Sequence, residues 1–394
     1  MMKLLKNCRL YAPQDEGMDH LLVAGESIVL RGKAAAQMDG MQGVDVCDME
    51  GRVVIPGLVD CHAHITGGGG EDGPESRVPA VELGAFTSAG VTSVVGLLGT
   101  DDLVRTTGEL VVRARALVAE GLSAWCYTGG YHVPPVTLTG SIRGDIVHVD
   151  RIVGVGELAI SDHRSSHPTD QELIRIAGEA HVGGLMAGKA GLVHLHLGDG
   201  KQGMEPLFRI LRDSDLPPRV LQPTHINRHP SLLDEALKAA RLGCHVDITA
   251  FPDDPDHADV LASDALARYL DEEGPAERIS VSSDGGGCLP HFDERGHLHS
   301  MDVGRPETLF RTLQTLLQAG RAPEQVLPAF TSNPAALLRL PGKGRLDLGM
   351  DADLVVMNED FSVCHVMARG EWHWRNGQQS RFGTFEARPD ENQA

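Results

Sequence analysis

Short apolar runs recur along the chain, each followed by a polar turn and then a longer amphipathic stretch. The runs lie at 53–60, 91–97, 122–128, 152–158, 192–197, 220–225, 245–249 and 279–284. Between most of them, 101–120, 170–187, 231–242 and 259–273 read as helices. Buried strands alternating with helices make parallel βα units. Eight such units within about 290 residues predict a (β/α)8 barrel, which typically needs about 250.

The flanks follow another rhythm. Residues 3–52 and 345–375 read as short strands and turns, exemplified by Leu21-Leu22-Val23 and Leu354-Val355-Val356-Met357. Two β-rich ends around a barrel can pair into one small β domain. The expected organisation is therefore 1–54 and 343–394 in the small domain, with 55–342 forming the barrel. The tail beyond Phe385 is expected to fray.

Composition narrows the partners. The 55 acidic against 35 basic residues give a net charge of −20, which disfavours nucleic acid and anionic membranes. The seven cysteines contain no C-x-x-C pair, and the first residues lack the apolar core of a signal peptide. No apolar run approaches the roughly 20 residues of a membrane span. These features predict a cytoplasmic protein. The 19 histidines outnumber Phe, Trp and Tyr combined, and His is the commonest metal ligand and general base.

Barrel chemistry sits at the C-terminal ends of the strands. The first run ends Asp60-Cys61-His62-Ala63-His64, whose two imidazoles share one face because strand side chains alternate. The fourth ends near Glu157, the fifth contains His194 and His196, the sixth ends at His225 and the eighth at Asp284. Nitrogen and carboxylate donors without thiolate suit zinc or a similar first-row ion. The set exceeds what one tetrahedral ion uses, so two bridged ions are expected.

Beyond the spacing, Val54-Ile55-Pro56-Gly57-Leu58-Val59-Asp60-Cys61-His62-Ala63-His64 resembles the opening strand of the amidohydrolase superfamily. Gly67-Gly68-Gly69-Gly70-Glu71, Ser161-Asp162-His163-Arg164 and Pro223-Thr224-His225-Ile226-Asn227-Arg228 are similar to its isoaspartyl dipeptidase subgroup. The resemblance spans essentially the whole chain. It implies a metal-dependent hydrolase barrel with a small β-sandwich domain, two zinc ions bridged by a hydroxide, and cleavage of β-aspartyl dipeptides. On that likeness His62, His64 and Asp284 hold the first ion, while His196 and His225 hold the second. Asp284 also serves as general base and then general acid. Tyr131 donates to the developing oxyanion. Glu71 pairs with the substrate ammonium, Arg164 and Arg228 bind its carboxylates, and the backbone at Thr100 adds a contact. A homo-oligomer is the family habit.

Two positions depart from the pattern. Glu157 stands seven residues before Arg164, where the family carries a carboxylated lysine as the metal bridge. A glutamate presents the same charge and two oxygens on a shorter stem, so Glu157 is expected to bridge the metals directly, with Gly156 allowing the backbone to adjust. Lys189, in a Gly-Lys-Ala-Gly turn, is misplaced for a carbamate. Cys288 stands where the family tends to have a serine contact, and a thiol is the weaker donor. The glycine run 67–70 reads as a flexible substrate loop, and His291, His297 and His299 as part of a lid. The alternatives are another amide or cyclic-amide hydrolase, dihydropyrimidinase-like or an N-acyl amino acid deacylase, and a non-catalytic scaffold. Convergence of Glu71, Arg164 and Arg228 beside the metals separates the dipeptidase from the other hydrolases, and a metal content near zero would mark the scaffold.

Overall fold

A computed structural model describes residues 2–252, 260–292 and 297–388. The expected tail beyond 388 and residues 293–296 of the expected lid lie outside these. The eight barrel strands are Leu58–Ala63, Val91–Gly96, Ser123–Thr128, Ile152–Ile160, Leu192–Leu197, Leu221–Thr224, Val246–Thr249 and Ile279–Ser282. The first six form a continuous parallel sheet and the last two pair in parallel. The ring closes where Asp284 N donates to His62 O at 3.1 Å and His64 N to Gly285 O at 2.8 Å. Ile226 N to Asp247 O, at 3.3 Å, joins the sixth strand to the seventh.

The apolar run at 53–60 is two strands rather than one. Val53–Pro56 pairs antiparallel with Leu354–Met357 and parallel with Arg9 and Leu10 in the small domain, whereas Leu58–Ala63 opens the barrel. Gly57 makes the handover, and a Cβ there would lie 2.2 Å from Thr92 Oγ1. The small domain is a nine-stranded mixed sheet built from both chain ends. Leu5, Leu10, Leu21, Val54, Leu354 and Met367 fill its main core, while Leu4, Leu22 and Ala35 pack in a second cluster.

Helix Asp170–Ala187 coincides with the sequence expectation. Its capping box has the Thr169 hydroxyl accepting from Glu172 N while the Glu172 carboxylate accepts from Thr169 N. Another helix starts later than its pattern suggests. Thr107–Glu120 begins after its Thr106 cap, which accepts from Glu109 N. Residues 101–106 turn instead, where Asp101 pairs with Arg105 at 2.7 Å. Helix Ala262–Asp271 is likewise shorter than 259–273, and residue 259 lies outside the described residues. All seven cysteines are free thiols. Among the described residues, no helix is long and apolar enough to cross a membrane.

Candidate active site

Five of the six candidate ligands stand within two residues of a strand end, Glu157 lies inside its strand, and all six are buried. His62 and His64 end the first strand, with Nε2 of each facing Asp284 Oδ1 at 3.3 and 3.2 Å. Glu157, in the fourth strand, divides its two oxygens. Oε1 lies 3.3 Å from His64 Nε2, while Oε2 lies 3.1 Å from His196 Nδ1 and 3.5 Å from His225 Nε2. Four donors arranged tetrahedrally at about 2.05 Å from an ion lie about 3.3 Å from one another, so these spacings match a coordination shell. Among the described residues two groups can hold an ion, His62 with His64 and Asp284, and His62 with Glu157 and His225. His196 falls outside both groups, touching the cluster through Glu157.

The donor chemistry also fits a cation. His62 Nε2 and Asp284 Oδ1 are buried without a hydrogen-bond partner, although they face each other. Burial alone would raise the Asp284 carboxyl, but His62 and His64 outweigh it and hold it well below the usual carboxylate range. The same balance, with His62 and His196 as partners, holds Glu157 low. His225 and Asp284 adopt left-handed backbone conformations, φ 61° and 52°, at ligand positions. Such strain persists where surrounding structure over-determines it. Gly156 permits the Glu157 placement as expected, because a Cβ there would fall 2.7 Å from the His194 Cβ. Lys189 donates instead to Ile146 O and Val149 O, both at 2.7 Å, capping a helix end.

Above the cluster opens a cavity of about 340 Å³ lined by His64, Glu157, His196, Asp284 and by Glu71, Thr100, Tyr131, Arg164, Arg228 and Cys288. Only His62 and His225 of the expected site lie beneath its lining. Glu71, Arg164 and Arg228 therefore do converge. Arg228 Nε is buried without a partner among the described residues, and its guanidinium lies over the Phe251 ring at 5.5 Å. The Tyr131 hydroxyl sits 2.8 Å from His196 Nδ1. Burial, reinforced by the Glu157 charge, pushes its phenol well above 10, so it stays a donor. Burial and then Glu71 push the Cys288 thiol up to about 12, which keeps it a neutral thiol rather than a thiolate nucleophile.

The glycine run is tied down rather than flexible. Cβ atoms at Gly67 and Gly69 would sit 2.0 Å from Val78 O and 2.5 Å from Ser76 O. Gly68 N donates to Gly286 O at 2.9 Å, and Arg105 clamps the segment through Thr66 O and Val78 O. The glycines let one backbone press on another.

Residue typing missed the groups that hold the site in place. Asp162 accepts from Arg164 Nη2 at 2.7 Å and lies 3.0 Å from His196 Nε2. Asp60 receives the Ser283 hydroxyl, and Ser283 N at 3.1 Å, bolting the first strand to the eighth. Burial raises the Asp60 carboxyl to about 6, with the Ser283 hydrogen bonds opposing. His194 and Gln222 lie under His62. The visible signals were Asp162 within Ser-Asp-His-Arg and the first His of Val-His-Leu-His, but neither discloses a partner.

Comparison with known proteins agrees with this geometry. Residues 53–373 match the profile of the amidohydrolase family, and the chain belongs to that family. A β-aspartyl dipeptidase from thermophilic keratin-degrading Fervidobacterium islandicum AW-1, solved in complex with β-Asp-Leu dipeptide, is 38% identical with a TM-score of 0.90. That match covers 96% of this chain and 99% of the other, and places the chain with the β-aspartyl dipeptidases within the family. Imidazolonepropionase of Ruegeria sp. (strain TM1040) is 24% identical over 378 residues, 90% of this chain and 91% of its own. Dihydropyrimidinase from Brevibacillus agri NCHU1002 shares the fold alone, at 16% identity and a TM-score of 0.66 over 97% of both chains.

Proposed function

We propose that this enzyme hydrolyses the isopeptide bond of β-aspartyl dipeptides. The observation that carries the reading is the convergence of one acidic and two basic side chains, Glu71, Arg164 and Arg228, in the pocket over the His and carboxylate cluster. That charge pattern complements a substrate with one ammonium and two carboxylates. The 38% identical β-aspartyl dipeptidase supports the same substrate class. A cyclic-amide hydrolase of the dihydropyrimidinase kind shares only the fold, and its substrate has no use for this charge arrangement.

In this reading His62, His64 and Asp284 would hold one divalent ion, His196 and His225 would hold a second, and Glu157 would be a ligand shared between them. Zinc suits the imidazole and carboxylate donors. Bound there, the ions supply Lewis acidity and lower the pKa of water. The chain's own residues supply the rest. Arg164 and Arg228 grip the carboxylates, and Glu71 takes the ammonium. Tyr131, held protonated by burial, donates to the oxygen on which charge develops. Asp284, kept ionised, accepts a proton at its carboxylate and delivers it to the leaving amine. Cys288 and the Thr100 backbone complete the substrate wall.

The test is an assay of purified enzyme against matched β-aspartyl and α-aspartyl dipeptides, with zinc measured per chain. We expect a strong β preference with about two zinc ions. Equal rates on the two linkages would overturn the substrate assignment. The seven free thiols support a reducing, cytoplasmic setting. Homo-oligomerisation is part of the proposal, and sedimentation reads it directly.

A further inference from the structure

We infer that Gln222 and His194 are positioning residues that fix which nitrogen of His62 is free to bind metal. The inference rests on the reading of His62 as a ligand. Beneath the cluster runs a fully buried chain of polar contacts. His62 Nδ1 lies 2.8 Å from His194 Nε2, and His194 Nδ1 lies 3.0 Å from Gln222 Oε1. Gln222 Nε2 donates to Cys61 Sγ at 3.7 Å, and Cys61 Sγ lies 3.2 Å from Asp247 Oδ1.

Two imidazoles in contact do not reveal which one donates. The far end of this chain does. Asp247 also receives hydroxyls from Thr224, Ser280 and Ser282, so its carboxylate acts as an acceptor on every side. The Cys61 thiol therefore donates to Asp247, and its sulfur is left to accept from the Gln222 amide nitrogen. That orientation turns Gln222 Oε1 toward His194, which must carry its proton on Nδ1. His194 Nε2 is then an acceptor, and His62 must donate from Nδ1. The lone pair of His62 thus sits on Nε2, the atom facing Asp284 and Glu157 at 3.3 and 3.6 Å. Run in the opposite sense, the chain would put a proton on that nitrogen and block coordination. Tyr127 stacks on His194 with ring centroids 5.2 Å apart and holds its plane. His225 Nδ1 also has a buried partner behind it, Thr249 Oγ1 at 2.7 Å. Partners behind a metal-binding histidine commonly set its tautomer and orientation.

Gln222→Leu removes the acceptor, whereas Gln222→Glu keeps one. Zinc affinity is read by chelator competition on each folded variant. We expect Gln222→Leu to weaken one zinc site by about 10–100-fold, with excess zinc restoring turnover, and Gln222→Glu to stay near wild type. Unchanged affinity in a folded Gln222→Leu variant would overturn the inference. A measurement that needs no variant at Gln222 is 15N NMR of the histidine-labelled zinc enzyme, with the His194 signal assigned by its loss in His194→Phe. We expect the proton of His194 on Nδ1, and a proton on Nε2 would refute the relay. Wild-type enzyme that binds no zinc would defeat the site reading itself. Two zinc ions in wild type with a neutral Gln222→Leu would defeat only the relay.

Discussion

Arg164 and Glu71, expected to hold opposite ends of the substrate, hold each other, with Arg164 Nη1 donating to Glu71 Oε1 at 3.1 Å. Both side chains are largely buried, so the pair is shielded from bulk water. A zwitterionic substrate can replace each partner with its own carboxylate or ammonium, whereas a neutral amide cannot. Glu71→Gln should raise KM for β-aspartyl dipeptides by about 10–100-fold, the scale of 1.5–3 kcal/mol for a hydrogen bond to a charged group. The penalty should largely vanish with an analogue lacking the α-amino group. Steady-state kinetics on the two substrates checks this, and an equal penalty on both would remove Glu71 from ammonium binding.

In the proposed mechanism Asp284 and Tyr131 divide the proton and oxyanion work. Asp284→Asn should lower kcat by about 10²–10⁴-fold. Tyr131→Phe should lower it by about 10²–10³-fold with little change in KM. Both rates are measured at saturating substrate with zinc content recorded alongside. A Tyr131→Phe defect confined to KM would assign the phenol to substrate binding.

In the proposed reading Glu157 stands where the family resemblance implies a carboxylated lysine, which needs carbon dioxide to form. Apo-enzyme should therefore regain activity with zinc to the same extent with and without bicarbonate. Glu157→Gln, which removes the negative charge available to a bridge, should lower zinc stoichiometry. A strong bicarbonate requirement in wild type would show that Glu157 is not the bridge.

Asp162 joins the metal side to the substrate side through its contacts with His196 and Arg164. Burial would raise its carboxyl, but hydrogen bonds from His196 and Arg164 outweigh this and hold it far below the usual range. Asp162→Asn should raise KM and weaken zinc binding together, each by about tenfold or more. Isothermal titration with zinc and kinetics in excess zinc separate the two effects. A change in only one would break the proposed coupling.

His373, in the small domain, is buried with neither ring nitrogen hydrogen-bonded among the described residues. Burial, with Arg381 and Arg369 adding to it, lowers it to about 4. An unfolded histidine titrates near 6.5, so the unfolded chain binds more protons between about pH 6.5 and 4. Its neutral form costs nothing above about pH 6.5, and stability is lost as pH falls toward 4. Thermal unfolding from pH 7.5 to 5 should show a falling Tm, with a shallower fall in His373→Leu. Parallel curves would remove His373 as a source of acid lability.

Much of the architecture was legible because periodicity reports burial. The alternation of short apolar runs and helices marked the barrel, and the H-x-H pair marked a strand end facing its mouth. The run at 53–60 was misread because a strand entering a small sheet and one entering a barrel are equally apolar. Only the clash that a side chain at Gly57 would make with Thr92 separates them. The glycine run was misread for a related reason, since glycine serves mobility and close packing alike.

The sequence by itself determined the kinds of donor and the facing of most of them near strand ends, because spacing along a strand dictates facing, while the charge pattern of the pocket followed from the family resemblance. Tertiary structure alone decided which oxygen of Glu157 meets which histidine, that Asp162 binds His196 and Arg164 together, and that Gln222 lies behind His194. The contacts of Gln222 with His194, Glu157 with His196 and Asp162 with His196 join residues 28 to 39 positions apart in the chain. They depend on barrel closure bringing different strands within hydrogen-bond distance, which no local pattern encodes.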